Sequence, residues 1–197
     1  VRRGVRPTTT QVDPARPVAE NKLGGDFTAE APNRKWVADI TYPRTAVGRI
    51  DSHDEERGHR RSRWADCVSV PTTPPSLIRG FIRIYLAVIV DLFSRKVVAW
   101  SIGDSLAVEL VGAALRQAIE RRRPEGKRLL HHSERGSQYT SEAYQRILRT
   151  LGITCSMSRS GCCYDNAAME RFFWSLKHEG TNHQRCANLD EARSNVF

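Results

Sequence analysis

The chain has 197 residues, enough for one domain of ordinary size with a real hydrophobic core. Its 31 Lys and Arg outweigh 22 Asp and Glu, giving a formal charge of +9 and a pI near 9.8, a balance that favours a polyanionic partner, most simply nucleic acid. The longest purely apolar run, Ile84 to Val90, falls far short of the ~20 residues of a membrane helix, and the charged start Val1-Arg2-Arg3-Gly4-Val5-Arg6-Pro7 lacks the apolar stretch of a secretory signal.

Residues 1 to 32 carry Pro7, Pro14, Pro17 and Pro32, three consecutive threonines and Gly24-Gly25, with little apolar periodicity. They read as a basic arm or linker rather than a packed element. Trp36 to Tyr42 is rich in aromatic and β-branched residues and stops at Pro43, which predicts a first strand. The unbroken run Ile84 to Val90 predicts a second strand, buried on both faces. Asp91 to Arg95 then turns the chain into Lys96 to Ile102, so the second and third strands form a hairpin.

Asp104 or Ser105 is placed to cap a helix whose apolar face holds Ala107, Leu110, Val111, Ala114, Leu115 and Ala118, and which ends in Arg121-Arg122-Arg123 before Pro124. A fourth strand, Arg128 to His132, leads into a loop, then a helix capped by Thr140 or Ser141 and ended by Gly152. Ile153 to Met157 is a short fifth strand. In the last helix Met169, Phe172, Phe173 and Leu176 repeat at the i, i+3, i+4, i+7 spacing of one face, so Glu170 projects from another. Three strands followed by alternating helices and strands predict a mixed five-stranded sheet with helices on both faces. The stretch from about 46 to 80, a mixed charge run followed by Pro71-Thr72-Thr73-Pro74-Pro75, fits no element and reads as an insertion between strands one and two.

The five cysteines, Cys67, Cys155, Cys162, Cys163 and Cys186, are odd in number and lack paired CxxC spacing, which suits a reduced, cytoplasmic protein. Cys162 and Cys163 read as ordinary loop thiols. His178, His183 and Cys186 have ligating chemistry, but no matching pair completes a zinc site.

Three acids stand out. Glu134 follows a buried strand, and Glu170 lies on a helix. Asp39 sits in the middle of an apolar strand, where an ionised side chain is expensive unless a cation or partner offsets the cost. With the fourth strand beside the first, these carboxylates can hold two Mg²⁺ or Mn²⁺ ions about 3.5 to 4 Å apart, which suits phosphoryl transfer.

Trp36-Val37-Ala38-Asp39-Ile40-Thr41-Tyr42, Tyr85 to Arg95, His131-His132-Ser133 with Arg135-Gly136-Ser137-Gln138-Tyr139, and Asp165-Asn166-Ala167 with Glu170 and Leu176-Lys177 resemble the integrase-core transposases of bacterial insertion sequences. These are relatives of retroviral integrases with a ribonuclease-H-like fold. Thirty-five residues, 135 to 169, separate Glu134 from Glu170, the gap of that family's D,D(35)E signature. The resemblance implies a catalytic core over residues 33–197, interrupted at about 46–80 and truncated at its C-terminus. It maps Asp39, Glu134 and Glu170 onto a metal-binding triad that cuts DNA at element ends and joins a 3′-hydroxyl to a phosphodiester. Lys177 falls where the family places a DNA-contacting lysine, and Arg135 and Arg171 are grouped with it as DNA-binding. Asp91 is implied to brace the hairpin turn rather than to join the site. Transposon ends and target DNA, a separate helix-turn-helix protein or domain, and other copies of the chain are the implied partners.

One departure concerns the triad itself: the family has aspartate where this chain has Glu134. An extra methylene moves a carboxylate by about 1 Å, beyond the roughly 0.5 Å tolerance of a catalytic constellation, so reduced activity is expected. The alternatives are a DNA-binding relic without catalysis and a ribonuclease-H-like nuclease.

Overall fold

A computed structural model describes residues 18–42 and 84–180. The predicted insertion, together with His183 and Cys186, lies outside the described residues. Five strands, β1 (Lys35–Thr41), β2 (Tyr85–Asp91), β3 (Val97–Gly103), β4 (Leu130–Ser133) and β5 (Thr154–Met157), form one sheet in the order β3-β2-β1-β4-β5. β1 runs antiparallel to β2 and parallel to β4, β2 and β3 are antiparallel, and β4 and β5 are parallel. The mixed sheet and the hairpin expected from the apolar runs are therefore both present.

Period-two alternation sends neighbouring residues of each strand to opposite faces. Trp36, Ala38, Ala87 and Ile89 pack with Leu115 and Ala118 of α1 (Val108–Arg122) and with Tyr144 and Leu148 of α2 (Glu142–Thr150). Val37, Leu86, Val88 and Val90 pack instead with Met169 and Phe173 of α3 (Ala167–Ser175) and with Leu23. Burial on both sides is why β2 reads as a continuous apolar run, every residue of it being buried. Each large side chain so covered contributes roughly 1.5–3 kcal/mol.

The helix boundaries show where local signals decide and where they do not. Ser141 caps α2 as expected, its hydroxyl accepting from Tyr144 N at 3.3 Å and donating to Gln138 O at 2.7 Å. Gly152, at φ +67°, carries the chain out of that helix. Neither Asp104 nor Ser105 caps α1: β3 runs on to Gly103, residues 104–107 are consumed by the turn, and the cap position falls to Ala107, without a side-chain hydrogen bond. α3 follows a short 3₁₀ turn, Cys163–Asn166, and runs into a single wide π turn, Leu176–Gly180.

The described part of the N-terminal arm is packed, contrary to the expectation of a loose linker. Val18 and Ala19 lie against the core on one face of the sheet, and Leu23 is buried in the other. The Lys22 and Leu23 N–H groups both donate to Ser156 Oγ, at 2.9 and 3.1 Å, and Met157 N donates to Glu20 O at 3.4 Å. The pull is mostly backbone to side chain, which no apolar periodicity announces.

Among the described residues no helix is long and apolar enough to cross a membrane.

Candidate active site at the end of the β1–β4 pair

The parallel pairing of β1 with β4 matches Lys35 to Leu130 and ends with Ala38 opposite Ser133. The next position on each strand is an acid, Asp39 on β1 and Glu134 after β4, so the register sets the two carboxylates side by side where the strands part. Both line a small open cleft, walled also by Tyr42, Gln138 and Tyr139. Alternation puts Asp39 on the Val37 face of the sheet, the face covered by α3.

Both oxygens of Asp39 are engaged. Ile40 N donates to Oδ1 at 2.7 Å and Asn166 Nδ2 donates to Oδ2 at 2.9 Å. Desolvation, then the charge of Glu134, hold the Asp39 carboxyl well above the usual carboxylate range. The Glu170 charge adds to the rise, while the Ile40 N–H and the Lys177 charge oppose it. Three charged groups therefore act on Asp39: Glu134, Glu170 and Lys177. Burial of Tyr139 also raises its phenol, with the Asp39 charge adding to the effect.

Glu134 is half-buried and begins a tightly tied loop. Arg135 Nε donates to Ser158 O at 2.6 Å, Gln138 Nε2 to Leu106 O at 2.9 Å, and the Tyr139 and Thr140 N–H groups both to Gly136 O. Arg135 thus uses its guanidinium to fasten this loop to the chain leaving β5. Arg171 is exposed on α3, and Lys177 is half-buried in the π turn. Glu170 is exposed in the first turn of α3, beside the buried Met169, and does not line the cleft.

No three His, Cys, Asp or Glu side chains among the described residues converge as a ready metal group. The donor chemistry nevertheless suits a hard divalent cation. Two carboxylates raise the pKa of a third, Asp39, through their charge, and Oδ1 of Asn166, whose Nδ2 bonds Asp39, is buried without a partner among the described residues. Asp39 and Glu134 are adjacent by register, and the Glu170 charge acts on Asp39.

Several supporting residues carried no role in the sequence reading. Asn166 was visible only as part of Asp165-Asn166-Ala167 at a helix start, where it would pass for a cap. Its side chain caps nothing and crosses to Asp39 instead. Asp165, only 2% exposed, receives the Arg159 backbone N–H at 2.7 Å and two guanidinium N–H groups at 3.0 Å each. These bonds, chiefly the guanidinium's, hold its carboxyl well below the usual range. Cys162 in the same loop is a free, half-buried thiol 3.6 Å from Arg159 Nη2. Behind Glu134 lie two fully buried histidines. His131 Nε2 is 2.7 Å from the Tyr144 hydroxyl, and His132 is bracketed by the Ser156 and Ser158 hydroxyls at 2.8 and 3.1 Å. Burial lowers His131 to about 3 and His132 to about 4, so both are neutral.

Asp91 lies away from this cleft and braces the hairpin, as the resemblance implied. It is fully buried and accepts from Asn33 N, Ser94 N and Ser94 Oγ at 3.0, 3.0 and 2.7 Å.

A family model described as Integrase core domain matches residues 29–163. The chain is 38% identical over 186 residues to the Insertion element IS600 uncharacterized 31 kDa protein of Shigella sonnei, across 94% of this chain and 56% of that protein. It is 37% identical over 182 residues to Transposase InsF for insertion sequence IS3A of Escherichia coli strain K12, across 92% and 51%. The chain spans about half the length of the curated relatives it matches. Among solved structures, a chain in the cryo-EM structure of the simian T-cell lymphotropic virus intasome with PP2A regulatory subunit B56 gamma aligns at TM-score 0.58 and 15% identity, over 94% of this chain and 53% of that one. The catalytic core domain of BIV integrase aligns at TM-score 0.51 and 17% identity, over 83% and 80%. At these identities the likeness is one of fold, the ribonuclease-H-like fold.

Proposed function

The chain belongs to the integrase core family, and from that premise we propose that it is a transposase catalytic subunit that cuts DNA at the ends of an insertion sequence and joins the cut strand to a target. The observation that carries this reading is the β1–β4 register, which sets Asp39 beside Glu134 while the Glu170 charge acts on Asp39. The name of a relative, a transposase for an insertion sequence, supports it. Asp39 and Glu134 would hold a divalent cation, Mg²⁺ or Mn²⁺, with Glu170 completing the ligand set. When bound, such a cation lowers the pKa of the attacking oxygen and stabilises charge on the leaving one.

The chain's own residues supply the rest. The Ile40 N–H and the Asn166 amide fix the plane of the Asp39 carboxylate. The Arg135–Ser158 tie and the Gly136 turn fix the backbone that carries Glu134. Lys177 offers positive charge to a phosphate next to the acids, and Arg171 extends that charge along α3. Cutting and joining two ends calls for at least two copies, and the DNA end would be recognised by a separate helix-turn-helix protein or domain.

A strand-transfer assay with end-containing duplex and Mn²⁺ tests the assignment. Asp39→Asn should abolish cutting yet leave DNA affinity intact or improved, because it removes negative charge. Persistent cutting by that variant refutes the triad. A second reading, a relic that binds DNA without cutting it, is favoured by Glu134 in place of aspartate. Under that reading the unaltered chain binds duplex but joins nothing, with either Mg²⁺ or Mn²⁺.

A further inference from the structure

Helix α3 has a covered face and an uncovered one. Met169 and Phe173 are buried against the sheet, and Phe172 and Leu176 pack beside them, which accounts for the apolar stripe. Trp174 belongs to the other face and is 59% exposed. The His178 ring stacks on its indole, with centroids 4.3 Å apart and planes inclined by 23°, and His178 Nδ1 lies 2.8 Å from Trp174 O. Trp174 is one helical turn from Glu170, with Arg171 three residues before it and Lys177 three after, so the paired rings sit among basic residues next to the acids.

A helical i, i+4 contact explains why two rings touch, at a few tenths of a kcal/mol. It does not explain an indole left largely in water, when such a side chain can bury 150–250 Å² elsewhere. A flat aromatic surface interleaved with Arg and Lys is what an unstacked nucleobase binds, because every base has a π face and its adjoining phosphate needs a cation. Within a paired duplex that face is hidden by the neighbouring bases, and a blunt end bares only the outer face of its last pair; a frayed or extruded base presents its face free of the partner strand.

We propose that the Trp174–His178 pair is a stacking platform for an unpaired base at the end of the DNA substrate, held one turn along α3 from Glu170. The platform rests on the proposed DNA-cutting function and specifies what that site grips: a strand end that has left the duplex. Arg171 and Lys177 hold the phosphates on either side of the stacked base.

The test uses the full chain and two short duplexes, one blunt and fully paired, one with three unpaired nucleotides at its end, each with 2-aminopurine near the terminus. Trp174→Ala should weaken binding to the frayed duplex about 5- to 150-fold, the range set by one base–aromatic stack, with the blunt duplex changed less than about twofold. The 2-aminopurine quenching seen with the unaltered chain should vanish. Trp174→Phe should restore most of both signals, which a merely structural tryptophan would not require, and His178→Ala should reproduce a smaller part of the loss. Unchanged affinity of a folded Trp174→Ala chain for the frayed duplex overturns the platform, as does equal weakening of both. Loss of self-association in sedimentation, without any change in DNA binding, also overturns it and assigns the pair to a protein interface. If Asp39-dependent cutting is present and the end discrimination is absent, the platform alone fails. If the unaltered chain binds neither duplex, the DNA-cutting reading fails with it.

Discussion

Shortening Glu134 to aspartate should raise strand-joining activity. The backbone at this position cannot retreat to absorb a longer side chain. Ser133 is paired with Ala38 in the sheet, Arg135 is fastened to Ser158 O at 2.6 Å, and the turn that follows closes on Gly136 O through two N–H groups. The extra methylene of glutamate therefore appears as a displacement of the carboxylate, about 1 Å against a tolerance of roughly 0.5 Å for a catalytic constellation. Misplacement on that scale costs up to about a hundredfold in rate, equivalent to about 2.7 kcal/mol of transition-state stabilisation. The gain expected in Glu134→Asp is thus between tenfold and a hundredfold. The assay is single-turnover joining of a labelled end duplex to a target in Mn²⁺, with Asp39→Asn as the blank. A variant that folds and binds the duplex like the parent, yet joins no faster, would refute the reasoning that the side-chain length at 134 limits this site.

Stability should fall on mild acidification because of the two buried histidines. Their folded pKa values lie below the unfolded value of about 6.5, near 4 for His132 and 3 for His131. Between those limits the unfolded chain binds protons that the folded chain refuses, so stability is present above about pH 6.5 and is lost as pH falls toward 4, by about 2 kcal/mol per histidine at pH 5. Asp39, whose folded pKa is raised, acts in the opposite direction. The check is therefore the difference in urea midpoint between pH 7.5 and 5, compared with His131→Asn; an equal difference in the two proteins contradicts the burial argument. Arg159→Ala should destabilise the chain and lower its urea midpoint, since it removes both guanidinium bonds to the buried Asp165 carboxylate and leaves it the backbone N–H of residue 159 and the Cys162 thiol. An unchanged midpoint would show that the Arg159 guanidinium is not what holds that loop.

The five strands were legible because their signal is local: Ile84 to Val90 is apolar throughout, and Trp36 to Ala38 is apolar up to the acid. The cap of α2 was legible to within Thr140 or Ser141 for the same reason, and the structure selects Ser141. Asp104 and Ser105 were not, since where a strand stops is decided by its partner strand, and β3 follows β2 as far as Gly103. The adjacency of Asp39 and Glu134 followed from placing the fourth strand beside the first, a step of topology rather than pattern. Asn166 was beyond reach: its partner Asp39 is 127 residues away, and nothing in an amide before a helix says which acid it meets. The stripe of Met169 and Phe173 set the face from which Glu170 projects. It did not set how far along β1 the helix comes to rest, so how closely Glu170 approaches Asp39 was not legible.

The packed arm has a consequence for where the fold can be cut. β5 is the outermost strand on its side of the sheet, and the segment carrying Glu20, Lys22 and Leu23 runs along its flank, with Met157 N bonded to Glu20 O and Ser156 Oγ receiving two N–H groups. A protein trimmed to begin at residue 33 would bare that flank, and an unprotected outer strand is a template on which a second chain can add. The arm that looked like a tether is the selvedge of the sheet, and the fragment without it should gain a tendency to aggregate before it loses any contact with DNA.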